Sequence, residues 1–157
     1  MMGRTFEDEF MDIQAGLISL CLELTGEDVD KVYAYASIEQ KSMMFNAFFE
    51  KGGRVLTINQ VGVDNATAMN FLRIGTMDLQ KLKNVCEENG KDVPTEIKMY
   101  YEVQTHRFNS DCKYDEICSA KTGVSSGEVF ASWCNEVKNS LAPEEPKSKK
   151  KWFGLFG

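Results

Sequence analysis

One histidine, three prolines and no Cys-x-x-Cys pair occur in the 157 residues of this chain. The scarcity of histidine removes the commonest general base and metal ligand from every position but His106. His106 falls at a predicted turn, where a solvated polar role is the ordinary one. No His-Glu-x-x-His and no Gly-rich loop suited to cradling phosphate is present. Gly52-Gly53 has no following Lys-Ser or Lys-Thr and precedes a strand, so it reads as a hairpin turn. His106, Cys112 and Cys118 recur at six-residue intervals. That spacing fits no common zinc knuckle, because such sites need close ligand pairs to fix their geometry. The sequence therefore points to no catalytic residue, no cofactor and no metal site. No apolar run approaches the ~20 residues of a membrane span. The acidic start, MMGRTFEDEF, lacks the apolar segment of a signal peptide.

What is present is ordinary for one folded domain: 43% apolar and 27% charged residues. Five cysteines, an odd number, fall at Cys21, Cys86, Cys112, Cys118 and Cys134. Cys21, Cys86 and Cys134 lie on apolar stripes of predicted helices, where a free thiol acts as a small hydrophobe. This suggests a reduced, cytoplasmic protein. The net charge of −6 conceals a split. Up to Pro146 there are 24 acidic against 14 basic residues, about −10, while the short remainder is about +4. An acidic body repels nucleic acid and speeds the encounter with a basic protein partner.

Residues 5–25 read as a helix, with Thr5 as cap, acids in the first turn, and Phe6, Phe10, Ile13, Leu17, Leu20, Cys21 and Leu24 on one face. Gly26 stops it. Strands follow at 31–40, 42–50 and 54–61, joined by Gln40-Lys41 and Lys51-Gly52-Gly53 into an antiparallel meander. Residues 62–75 fit either a short capped helix or a loop. A helix is clear from Thr76 to Asn89-Gly90, with Pro94 beyond it. Strands are expected at 95–104 and 107–114, a loop at 119–127, and a last helix from Ser125 or Ser126 to about Leu141. Val129, Phe130, Trp133, Val137 and Leu141 form its apolar stripe. The expected fold is α+β in the order α-β-β-β-α-β-β-α, with helices mainly on one face of an antiparallel sheet of about five strands. The other face is expected to be partly solvated. Residues 1–142 make the single domain and 143–157 a basic, aromatic tail.

Asp111, Asp115 and Glu116 gather around Tyr114 near the end of the last strand. Solvated acids of this kind fit an ordinary surface turn first; as a functional feature they suit an acidic recognition edge more than acid–base catalysis. Tyr100 and Tyr114 are candidate anchors, since tyrosine is frequent at binding hot spots, and Glu102 joins them. The partner-binding candidates are thus Tyr100, Glu102, Asp111, Tyr114, Asp115 and Glu116. In the tail, Lys149, Lys150 and Lys151 stand beside Trp152 and Phe153. That pairing suits weak contact with an anionic membrane, a docking peptide or a disordered end.

The chain resembles the YezG-like immunity proteins, the antitoxins encoded beside LXG-type polymorphic toxins. The residues that carry the likeness are LCLELTGEDVDKVYAYASIEQ, SMMFNAFFEKGGRVLTINQV, LQKLKNVCEENGKDVPTEIKMYYE and FNSDCKYDEI, within residues 10–137. They are patterns of apolar and aromatic positions, not a catalytic signature. Residues 63–75 are longer and more apolar than the family pattern, and the tail is an addition to it. The resemblance implies stoichiometric binding and neutralisation of a cognate toxin, often a nuclease, in the cytoplasm. It transfers no functional residue. A peripheral membrane adaptor using the Lys-rich tail is the alternative.

Overall fold

The computed structural model describes residues 5–39, 42–119 and 121–141. Its elements are α1 (Phe6–Thr25), β1 (Lys31–Glu39), β2 (Ser42–Lys51), β3 (Arg54–Thr57), a 3-10 turn (Ile58–Gln60), α2 (Asn65–Glu88), β4 (Glu96–Glu102), β5 (Phe108–Lys113) and α3 (Ser126–Leu141). The fold is α+β. One antiparallel sheet runs in the order β3-β2-β1-β4-β5. The expected turn at Gln40-Lys41 lies outside the described residues; the strands flanking it pair Glu39 with Ser42. Among the described residues, no helix is long and apolar enough to cross a membrane.

α1 starts where a capping box satisfies its first amides: Thr5 Oγ1 accepts from Asp8 N–H, and Asp8 Oδ2 accepts from Thr5 N–H. It ends at Gly26, whose φ of 63° is open to glycine at little cost. Strand pairing then fixes which side chains share a face. Val32, Ala34 and Ala36 of β1 align with Phe49, Ala47 and Phe45 of β2 and with Tyr101, Met99 and Ile97 of β4. This face is covered by α1 through Leu17, Ile18 and Cys21, and by α2 through Phe71, Leu79, Leu82 and Cys86. The three alanines lower the centre of the sheet, so the helices sit close.

α2 corrects the boundary expected at Thr76. One helix runs unbroken from Asn65, capped by Asp64 Oδ1, which accepts from Thr67 N–H at 2.7 Å. Residues 62–75, left open between helix and loop, are mostly its first half. Gly75 lies inside this helix, where a Cβ built on it would overlap the Phe45 ring. The glycine lets the helix backbone rest on Phe45. The Thr76 hydroxyl donates to Leu72 O within the helix at 2.9 Å. β3 is also shorter than the expected 54–61. The Gln60 side chain accepts from Thr57 N–H at 2.9 Å and curls the chain into the 3-10 turn.

The second face is not left to solvent as widely as expected. α3 lies across its β2–β3 half, capped by Ser125, whose Oγ accepts from Glu128 N–H at 3.1 Å. Its stripe is half-buried, and no α3 residue is fully buried. Phe130 and Trp133 meet an aromatic layer on the sheet: Tyr33 stacks on Phe48 at 4.6 Å, and Trp133 approaches Phe48 edge-on at 5.1 Å. Two buried glutamates serve the β1 tyrosines. Tyr35 donates to Glu96 Oε1 at 3.0 Å and Tyr33 to Glu50 Oε1 at 3.5 Å, with Lys31 Nζ 3.4 Å from Glu50. Burial, then the neighbouring carboxylate, pushes Tyr33 up to about 12 and Tyr35 further.

Two glycine substitutions are expected to act with opposite sign. Gly75→Ala forces a methyl into the Phe45 ring and costs about 1–3 kcal/mol. Gly16→Ala, in α1 with nothing near the added Cβ, stabilises by about 0.5–1 kcal/mol. Urea unfolding of both variants, with Phe45→Leu added to Gly75→Ala for partial recovery, checks the pair.

Candidate functional site

A cleft of about 770 Å³ lies at the end of the sheet where β1 stops and β2 begins. Three segments far apart in sequence build it. β1 ends in Ile38 and Glu39, the last turns of α2 supply Lys83 and Glu87, and the chain after β5 supplies Tyr114, Glu116 and Cys118. Thr95, just before β4, holds that last segment in place: its hydroxyl lies 2.6 Å from Asp115 O and 3.2 Å from Lys113 O.

Glu39 organises the far wall. Its carboxylate accepts N–H bonds from Cys118 at 2.6 Å and Ile117 at 3.4 Å, drawing the loop back over the strand end. Thr122 closes the loop from within, donating to Ile117 O at 2.9 Å and accepting from Ser119 N–H at 3.1 Å. Burial, and then Glu39, pushes the Cys118 thiol up to about 11. At neutral pH it is therefore a protonated thiol and a weak nucleophile. Burial likewise raises the Tyr114 phenol. The lining carries three carboxylates, Glu39, Glu87 and Glu116, against one ammonium, Lys83. A wall of that balance favours cations.

The six sequence-predicted residues do not form one site. Tyr114 and Glu116 line the cleft, and Asp115 is exposed between them. Tyr100 and Glu102 stand toward the other end of β4, roughly 13 and 20 Å along the strand from Glu96. Tyr100 donates a short hydrogen bond to Glu102, and Thr105 donates to the same carboxylate at 2.7 Å. These bonds, with help from Arg107 and Lys31, lower the Glu102 carboxyl below its ordinary range. Glu102 thus serves the β4–β5 turn, where His106 takes a left-handed φ of 61° and bonds Tyr101 Oη at 2.8 Å. Asp111 is exposed on β5, on the same sheet face as Tyr100. Lys149, Lys150, Lys151, Trp152 and Phe153 lie outside the described residues.

Sequence reading missed Glu39, Lys83, Glu87 and Cys118 as cleft residues. Nothing local marks them; Glu39 meets Cys118 across 79 positions. It also passed over residues 123–127, GVSSG, which match the letters of the Gly-x-Ser-x-Gly nucleophile elbow. The context is wrong for that role. Ser125 is the α3 cap, preceded by a single bridge of Val124 to Ser119, and the lone His106 sits at the opposite end of the sheet. All five cysteines are free, and among the described residues no three His, Cys, Asp or Glu side chains are placed to hold a metal ion. Comparison of the chain with protein-family models and with curated proteins finds no match.

The Tyr100–Glu102 bond has a measurable consequence. A depressed carboxyl contributes stability above the ordinary glutamate range, and loses it as pH falls through the lowered value. Carbon-detected NMR titration is expected to place Glu102 below the ordinary glutamate value. In Tyr100→Phe it should move back toward that value, and the acid side of the stability profile should flatten.

Proposed function

We propose that the protein acts by stoichiometric binding of a basic protein partner, with the cleft between Glu39, Glu87 and Glu116 receiving the partner's cationic side chains. The observation that carries this reading is the excess of carboxylates lining this cleft, within a body of about −10. Glu39 is pre-organised by two backbone N–H groups, so one wall needs no ordering on binding. The protonated Cys118 thiol supports holding a partner over covalent attack on it. The resemblance to YezG-like immunity proteins supports the sharper form, in which the partner is a toxin, such as a basic nuclease, and binding neutralises it.

Co-expression with the product of the neighbouring open reading frame tests this. The expected result is relief of that product's toxicity and a complex of fixed ratio on size exclusion. The side chains of Glu87 and Glu116 form no hydrogen bond among the described residues, so Glu87→Lys with Glu116→Lys should leave folding intact. The pair should weaken the complex at least ~10-fold, about 1.4 kcal/mol, with a shallower salt dependence. A harmless neighbour that forms no complex contradicts the proposal. A complex indifferent to both reversals moves the contact away from the cleft.

A further inference from the structure

The two edges of the sheet differ. β3 is four residues long, turns at once into the 3-10 helix, and has α3 packed against it. β5 is six residues long, and β4 is its one extensive neighbour among the described residues. The bond from Glu102 N–H to Arg107 O sets the alternation of the β4–β5 ladder. With the pairs Tyr100–Asn109 and Lys98–Asp111, it turns the backbone groups of Asn109 and Asp111 toward β4. Those of Phe108, Ser110 and Cys112 therefore point outward, with no strand paired to them among the described residues. Such an edge is a template for another strand unless it is blunted. β5 contains no proline, and its register with β4 is continuous from Phe108 to Lys113, the one bulge lying before it at His106-Arg107.

The charges on this edge select its partner. Arg107, Asn109 and Asp111 fall on one sheet face, since they pair with Glu102, Tyr100 and Lys98. The cation that Asp111 faces across the ladder, Lys98, is drawn to the Trp133 ring, 5.5 Å from its centroid. Asp111 forms no ion pair among the described residues. Arg107, whose charge also reaches Glu102 across the hairpin, and Asp111 flank Asn109 as a cation and an anion, a pattern complementary to itself after a two-fold rotation.

We propose that the outer edge of β5 pairs antiparallel with β5 of a second copy of this chain, the two-fold axis passing at Asn109. In that register Phe108 and Ser110 of one copy exchange backbone hydrogen bonds with Ser110 and Phe108 of the other. Arg107 faces Asp111 of the second copy, twice, at non-hydrogen-bonded positions where side chains are closest. The five-stranded sheets join into one of ten strands. Because the bodies repel each other, the dimer forms when salt screens charges beyond ~8 Å, as at physiological ionic strength. The inference stands apart from the cleft reading, and its test uses this protein alone.

The test is sedimentation of the full chain over a dilution series, with disulfide trapping. The wild type is expected to show a concentration-dependent dimer. Ser110→Pro removes an outward N–H that β4 does not use, a position where an edge strand accepts proline. It should keep the far-UV spectrum and be monomeric. Asp111→Arg should raise the dissociation constant at least ~10-fold, and Arg107→Asp added to it should restore dimerisation. Asn109→Cys should trap a covalent dimer under mild oxidation, while Asp111→Cys should not. A monomer at every concentration overturns the proposal. So does a dimer that survives Ser110→Pro, or one that Asn109→Cys fails to trap.

Discussion

The structure is organised by the burial of β1 on both faces. Residues 32–38 are all buried, the even ones beneath α1 and α2 and the odd ones beneath aromatic and loop cover. A strand sealed on two sides obliges the chain to supply two layers of cover. Two long helices with wide apolar stripes supply the first. The second is thinner: one half-buried helix and the loop that Glu39 pins. Tyr33 and Tyr35 cannot be buried there without partners for their hydroxyls, so Glu50 and Glu96 are buried with them. The polar network on this face follows from the choice of tyrosine at the centre of the sheet.

Most of the architecture was legible in the sequence, because it rests on local periodicity. The alternation along 31–50, the Thr5 cap and Gly26 stop, and the strand pair before and after His106 each signal within a few residues. What misled were residues whose role is set at a distance. Gly75 resembles a helix boundary, yet its need is the Phe45 ring, thirty positions earlier in the chain and across the helix–sheet interface. The apolar character of Tyr33, Tyr35 and Phe48 could have shown that the second face needs a cover, since fully polar alternation is absent from β1. The stripe Phe130–Trp133 was recognised; which face it would meet was not, because a stripe does not say what it packs against.

The candidate site shows the same division. Tyr114 and Glu116 were singled out as part of an acidic edge, and the fold places them in a cleft. Glu39, Lys83 and Glu87 joined them only through the sheet's topology, which brings the end of β1, the end of α2 and the exit from β5 to one place. Tyr100 and Glu102 looked like part of the same surface by sequence proximity. Strand length separates them from the cleft, and they satisfy each other's polar groups in the opposite turn. Recognition surfaces built from three segments leave no spacing for sequence to reveal; only the ladder register joins them.

Native-state hydrogen exchange tests the central claim, that β1 is sealed from both sides by covers of unequal strength. The account predicts that β1 amides exchange only by global unfolding, in the slowest class together with the core of α2, while α3 amides open locally and exchange faster. Protection of α3 equal to that of β1, or β1 amides exchanging ahead of α3, would contradict it.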